Sequence, residues 1–134
     1  MNVELFLLLF VFQFIGHRVG DYLLQSNYDA LNKTRDWGAL TRHVCMYTVA
    51  IIFFVAFITP WYITALIGII TFIEHMIVDT RKPVLGYKNV FEKEVMGNHT
   101  FKADDLPFFV LVEIDQTFHY LRIFLISLGV AWFM

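Results

Sequence analysis

Four apolar runs dominate this chain, and each can be drawn to about 20 residues, the length a hydrocarbon core about 30 Å thick demands of a helix. They cover residues 3–24, 37–58, 60–79 and 107–134, leaving polar connections at 25–36 and 80–106. Asp36 is placed to cap the second run. Thr59 and Pro60 suit the cap and first position of the third, and Asp104 and Asp105 suit the N-terminus of the fourth. Only 16% of the 134 residues are charged and 58% are hydrophobic, against about 25% and 45–50% in soluble domains. The expected fold is therefore all-α: one integral membrane domain over residues 1–134, built as a four-helix bundle. The first run is read as a retained helix, because it carries Glu4 where a signal peptide needs a cation.

The cations orient the bundle. Lys33, Arg35, Arg81, Lys82, Lys88, Lys93 and Lys102 all fall in the first and third connections, and the second connection has none. The bias of basic residues towards cytoplasmic loops places both termini outside and both charged loops in the cytoplasm. An amphipathic stretch (Val90, Phe91, Val95, Met96) in the long connection suits the membrane surface. A net charge of −2 gives no reason to expect a nucleic-acid partner, and the single Cys45 excludes an internal disulfide.

Against that apolar background the ionisable residues inside the runs need a reason, since each costs at least about 2.5–3.5 kcal/mol to insert. His17 and Asp21 stand in the first run, His75 and Asp79 in the third, Asp115 and His119 in the fourth, and His43 in the second. Every pair is spaced i,i+4, on one helical face. The order His-then-Asp in the inward runs reverses to Asp-then-His in the outward one, as one common centre requires. Each histidine stands 14 or 15 residues from the outer end of its run, about 21–22 Å deep at about 1.5 Å per residue. The expected picture is a layer of four histidines with aspartates one turn nearer the cytoplasm.

Imidazole and carboxylate without thiolate suit a divalent metal, Zn²⁺ first and Mn²⁺ or Fe²⁺ next. Seven candidate ligands (His17, Asp21, His43, His75, Asp79, Asp115, His119) exceed one tetrahedral ion, which leaves a dinuclear centre or aspartates that orient the imidazoles. The expected function is a membrane-embedded metal-dependent hydrolase open to the cytoplasm, acting on a lipid or lipid-linked phosphate. Asp21, Asp79 and Asp115 are then catalytic as well as ligating. Gln25 and Arg122 are candidate substrate-binding residues, with pairing to Glu74 as the competing role for Arg122. An ion or proton relay through the same layer is one alternative, and a purely structural or regulatory polar network is another. Partners are the bilayer and, where four short helices do not suffice, a second copy in a homo-oligomer.

The stretch Gly16-His17-Arg18-Val19-Gly20-Asp21-Tyr22-Leu23-Leu24-Gln25 contains H-x3-D-Y-L-x-Q. With His43, Glu74-His75 and Asp79, and Asp115-Gln116 and His119, it resembles an uncharacterised family of small bacterial and phage membrane proteins, classed as a domain of unknown function. A looser similarity connects it to LexA-regulated, membrane-bound metal-dependent hydrolases. The first resemblance implies an inner-membrane location and no particular reaction.

Overall fold

The structure is a computed structural model that describes residues 1–103 and 106–134. Asp104 and Asp105, expected at a helix start, lie outside the described residues. The described chain is all-helical: α1 (Val3–Arg18), α2 (Asn27–Asn32), α3 (Trp37–Val55), α4 (Trp61–Val78), α5 (Lys82–Val90) and α6 (Phe108–Phe133). Wide π turns extend α1 over Val19–Leu23 and α5 over Phe91–Val95.

Capping chemistry sets most of these boundaries. Asn2 accepts from the Leu5 amide at 3.1 Å, Ser26 from the Asp29 amide at 3.0 Å, and Asp36 from the Gly38 amide at 2.8 Å. Thr59 behaves differently from the expected cap. The tight turn into α4 leaves the Val55 carbonyl in reach, so the Thr59 hydroxyl bonds there at 2.9 Å and pairs with Thr64 at 2.8 Å. Pro60 takes the N-cap position instead.

Three helical stretches, Val3–Leu23, Trp37–Val55 and Trp61–Val78, are long and apolar enough to cross a membrane. The 26-residue α6 is longer, but Glu113, Asp115, Gln116, His119 and Arg122 punctuate it. Contacts join α1 to α3 and α6, and α4 to α3 and α6. The Asn2 amide donates to the Ala131 carbonyl at 2.8 Å, so the start of α1 and the end of α6 meet. Leu9, Tyr47, Ile51, Val55 and Ile67 form a sealed apolar core. Large apolar side chains such as Val11, Phe53, Ile69, Ile73 and Leu125 point outward, as lipid-facing surface does.

Two glycines let α1 approach α3. A Cβ on Gly16 would meet the Ile51 Cα at 3.2 Å, and one on Gly20 would meet the Tyr47 Cα at 2.9 Å. Small residues four apart allow this close packing in membranes. Because the obstacle at Gly20 is backbone, Gly20→Ala should push the π turn away from α3. The expected loss of stability is about 1–3 kcal/mol, read by denaturant unfolding in detergent; an unchanged midpoint would contradict this packing.

Candidate metal centre

The site forms where α1, α3, α4 and α6 converge. The π turn at Val19–Leu23 carries Asp21, α3 carries His43, α4 carries His75 and ends at Asp79, and α6 carries Asp115 and His119. Such turns widen a helix by one residue per bond and recur at functional sites. Here the Leu24 amide reaches back to the Val19 carbonyl at 3.0 Å, and the turn buries Asp21 against α3.

Four ligand atoms from Asp21, His43, His75 and Asp79 close on one another. His43 Nε2 lies 3.0 Å from His75 Nε2, 3.1 Å from Asp21 Oδ1 and 3.1 Å from Asp79 Oδ2. His75 Nε2 lies 3.3 Å from Asp79 Oδ2 and 3.8 Å from Asp21 Oδ1. A second group, Asp79, Asp115 and His119, shares Asp79 with the first. His119 Nε2 is 3.4 Å from Asp79 Oδ1 and 3.8 Å from Asp115 Oδ2. Asp79 thus presents one oxygen to each group.

Of these approaches, that between His43 Nε2 and His75 Nε2 has hydrogen-bond geometry and those to the carboxylates do not. Among the described residues, Asp21 Oδ1, both oxygens of Asp79, and His119 Nε2 are buried and have no partner of acceptable hydrogen-bond geometry. Buried polar atoms are normally satisfied. Atoms aimed past each other at a shared point are what a cation site presents, and these two groups could hold a metal ion.

The remaining nitrogens and oxygens fix the ligands from behind. His119 Nδ1 donates to Glu74 Oε1 at 2.9 Å, which leaves Nε2 as a bare acceptor facing Asp79. Carboxylate-to-imidazole support of this kind orients metal-bound histidines. With its amide oxygen turned towards α3, Gln25 accepts from His43 Nδ1 at 3.1 Å and from Lys33 at 3.1 Å, while its nitrogen donates to the Asp21 carbonyl at 3.2 Å. The His75 ring stacks on Tyr47, with centroids 3.7 Å apart and planes at 8°, and the His119 ring lies tilted beside it at 4.3 Å.

His17, expected as a ligand, is not drawn into either group. Its ring neighbours that of His119 at 5.6 Å, but both its nitrogens are engaged. Tyr47 Oη donates to His17 Nδ1 at 2.8 Å, and His17 Nε2 donates to Gln116 Oε1 at 2.7 Å. Gln116 in turn donates to Asp21 Oδ2 at 2.7 Å. His17 therefore orients Asp21 through Gln116. Arg122 lies away from the site's mouth, donating to Tyr47 Oη at 2.5 Å and Thr71 Oγ1 at 3.0 Å, with Glu74 Oε2 at 3.3 Å.

Sequence reasoning assigned Lys33, Gln116 and Tyr47 no part in the site. Lys33 reads as one more cytoplasmic cation, yet its Nζ lies 2.8 Å from Asp79 Oδ2, 3.4 Å from His43 Nε2 and 3.8 Å from Asp21 Oδ1. The loop that carries it is pinned by an Arg42–Asp29 pair at 2.7 Å. The Ser26 hydroxyl and then Arg42 hold the Asp29 carboxyl below its usual range against partial desolvation. The pinning therefore persists above the ordinary carboxylate pKa and is lost only as pH falls through the depressed value.

A family model described as "Protein of unknown function (DUF3307)" matches residues 9–134. The chain belongs to the DUF3307 family. No curated protein and no solved structure matches it. The DUF3307 match spans every residue of both ligand groups together with Gln25, Lys33, Glu74, Gln116 and Arg122.

Proposed function

We propose that this protein is a multi-pass inner-membrane, metal-dependent hydrolase whose four long helices form a bundle with both termini outside and the site open to the cytoplasm. The observation that carries the metal assignment is the spacing of the Asp21, His43, His75 and Asp79 ligand atoms. A tetrahedral ion with bonds of about 2.0–2.2 Å has edges of about 3.3–3.6 Å between its ligands. The five separations above run from 3.0 to 3.8 Å and straddle that value. Two imidazoles and two carboxylates suit Zn²⁺ first.

Charge supports a divalent occupant. Asp21, Glu74, Asp79 and Asp115 carry four formal negative charges against Lys33 and Arg122, leaving two in excess when the histidines are neutral. Buried charge on that scale needs a counter-ion. The second group supplies only three ligands, Asp79, Asp115 and His119, the number that leaves a position for water in catalytic sites. A metal there supplies an acidified water and a Lewis acid for a carbonyl or phosphoryl oxygen. Asp115, which lines the cleft leading to the loops, is placed to accept that water's proton. Glu74 holds the His119 ring for the same centre.

A proton or ion relay is less well supported, because the sealed core of Leu9, Tyr47, Ile51, Val55 and Ile67 occupies the space a conduit would need. Elemental analysis of protein purified without chelator tests the metal reading. Between one and two zinc equivalents per chain are expected, falling with activity on dialysis against chelator and recovering on zinc addition. Protein that holds no stoichiometric transition metal under those conditions sinks it.

A further inference from the structure

We infer that Lys33 and Arg81 form a clamp for the phosphate group of an anionic ester at the mouth of the metal centre. This rests on the metal reading above and gives that site a substrate class. A cleft of about 160 Å³ opens from the two ligand groups towards the loops. Asp21, Asp79 and Asp115 line its inner part, and Lys33, Arg81, Tyr22 and Phe108 are among its other walls. Sites that enclose a whole ligand run to about 300–1,000 Å³, so this one takes a headgroup and leaves the rest outside.

Both cations are placed by features that the fold alone does not explain. Arg81 stands at φ 61°, left-handed backbone two residues beyond the shared ligand Asp79. Glycine fills such a position without steric strain, whereas a residue with a Cβ is held there at a cost. The strained position sets Arg81 in the cleft wall, with its guanidinium 5.2 Å from the Phe108 ring centroid. Lys33 rises from the opposite loop, only 13% exposed, and touches three of the four atoms of the first ligand group. An ammonium so close to those atoms is repelled by a divalent ion bound among them. It must withdraw, and the cleft is the polar space it already borders.

The electrostatics then select the ligand. Without metal the carboxylates repel an anion from the cleft. With one divalent ion the formal charge of the cluster is balanced, and with two it is positive by two. A phosphate meets that surplus, and guanidinium and ammonium groups bind phosphate oxygens by charge-assisted hydrogen bonds.

Titration calorimetry on the full chain in detergent, zinc-loaded and zinc-free, tests the clamp with inorganic phosphate and dodecyl phosphate as probes. Zinc-loaded protein is expected to bind phosphate at least tenfold more tightly than zinc-free protein. Lys33→Met and Arg81→Gly should each lower that affinity about tenfold or more while retaining zinc, and Lys33→Arg should restore it. Arg81→Gly also relieves the backbone, so its melting temperature should hold or rise. A tighter fit for dodecyl phosphate assigns the ester to the membrane, and equal affinities assign it to a water-soluble phosphate. Zinc-loaded variants that bind phosphate as the wild type does overturn the clamp and leave the metal reading standing. A chain that binds no zinc overturns both.

Discussion

Asp79→Asn is expected to remove most of the protein's metal affinity, at least about 100-fold, where Asp115→Asn costs about tenfold. Even residues that merely support a ligand alter affinity about 10–100-fold, and Asp79 belongs to both ligand groups. Its Oδ2 stands 3.1 Å from His43 Nε2 and 3.3 Å from His75 Nε2, and its Oδ1 stands 3.4 Å from His119 Nε2. An amide has the same shape but no charge, and its NH₂ must face either the first group or the second. Whichever it faces, it donates where a lone pair is needed. Asp115 serves one group only, and at 15% side-chain exposure it is also the more solvated of the two. Competition against a chromophoric zinc chelator measures both variants. Asp79→Asn that binds zinc as tightly as the wild type would remove Asp79 from the centre and with it the shared-ligand geometry.

The residues differ in how far sequence alone placed them. Length and apolar composition make α1, α3 and α4 visible, since an apolar run of about 20 residues has few other solutions. The i,i+4 pairs on α4 and α6 converge because straight helices carry both members of a pair to one face. The pair on α1 does not, and the reason is local. The π turn at Val19–Leu23 begins two residues after His17, and no residue pattern announces a bond from i to i+5. Asp21 reaches the ligand atoms from within that turn, while His17 stays one step back on Tyr47 and Gln116. Lys33 escapes notice for a different reason. Its position depends on how the connection over residues 25–36 folds back over the site, held by Ser26, Asp29 and Arg42, and loop closure of that kind has no periodic signature. Gln116 and Glu74 each stand beside a ligand in sequence (Asp115 and His75) but serve a ligand on another helix (Asp21 and His119), a partnership that spacing along one helix does not give.

Arg122→Met should destabilise the fold by about 3–5 kcal/mol, the range for removing one partner of a buried ion pair. Arg122 is 7% exposed in α6 and its guanidinium has three partners on two other helices: Glu74 Oε2 at 3.3 Å, Thr71 Oγ1 at 3.0 Å and Tyr47 Oη at 2.5 Å. Methionine fills much of the volume, so the loss comes from electrostatics and not from a cavity. It leaves the Glu74 carboxylate inside a helix that faces lipid, with the His119 imidazole as its remaining partner. Adding Glu74→Gln to Arg122→Met should then recover at least half of the loss, because the stranded charge is gone while the new side-chain oxygen still accepts from His119 Nδ1. Tyr47 loses a donor in both variants, but it keeps its own hydroxyl bond to His17 at 2.8 Å, so the chain from His17 through Gln116 to Asp21 persists. Zinc affinity in the double variant should accordingly stay within about tenfold of the wild type. Denaturant unfolding in detergent, with zinc binding measured in parallel, reads both quantities. A single variant within about 0.5 kcal/mol of wild type, the range of an ordinary surface substitution, would mean that Arg122 carries none of the charge balance assigned to it. A double variant no more stable than the single would place its role in packing against Tyr47 and Thr71.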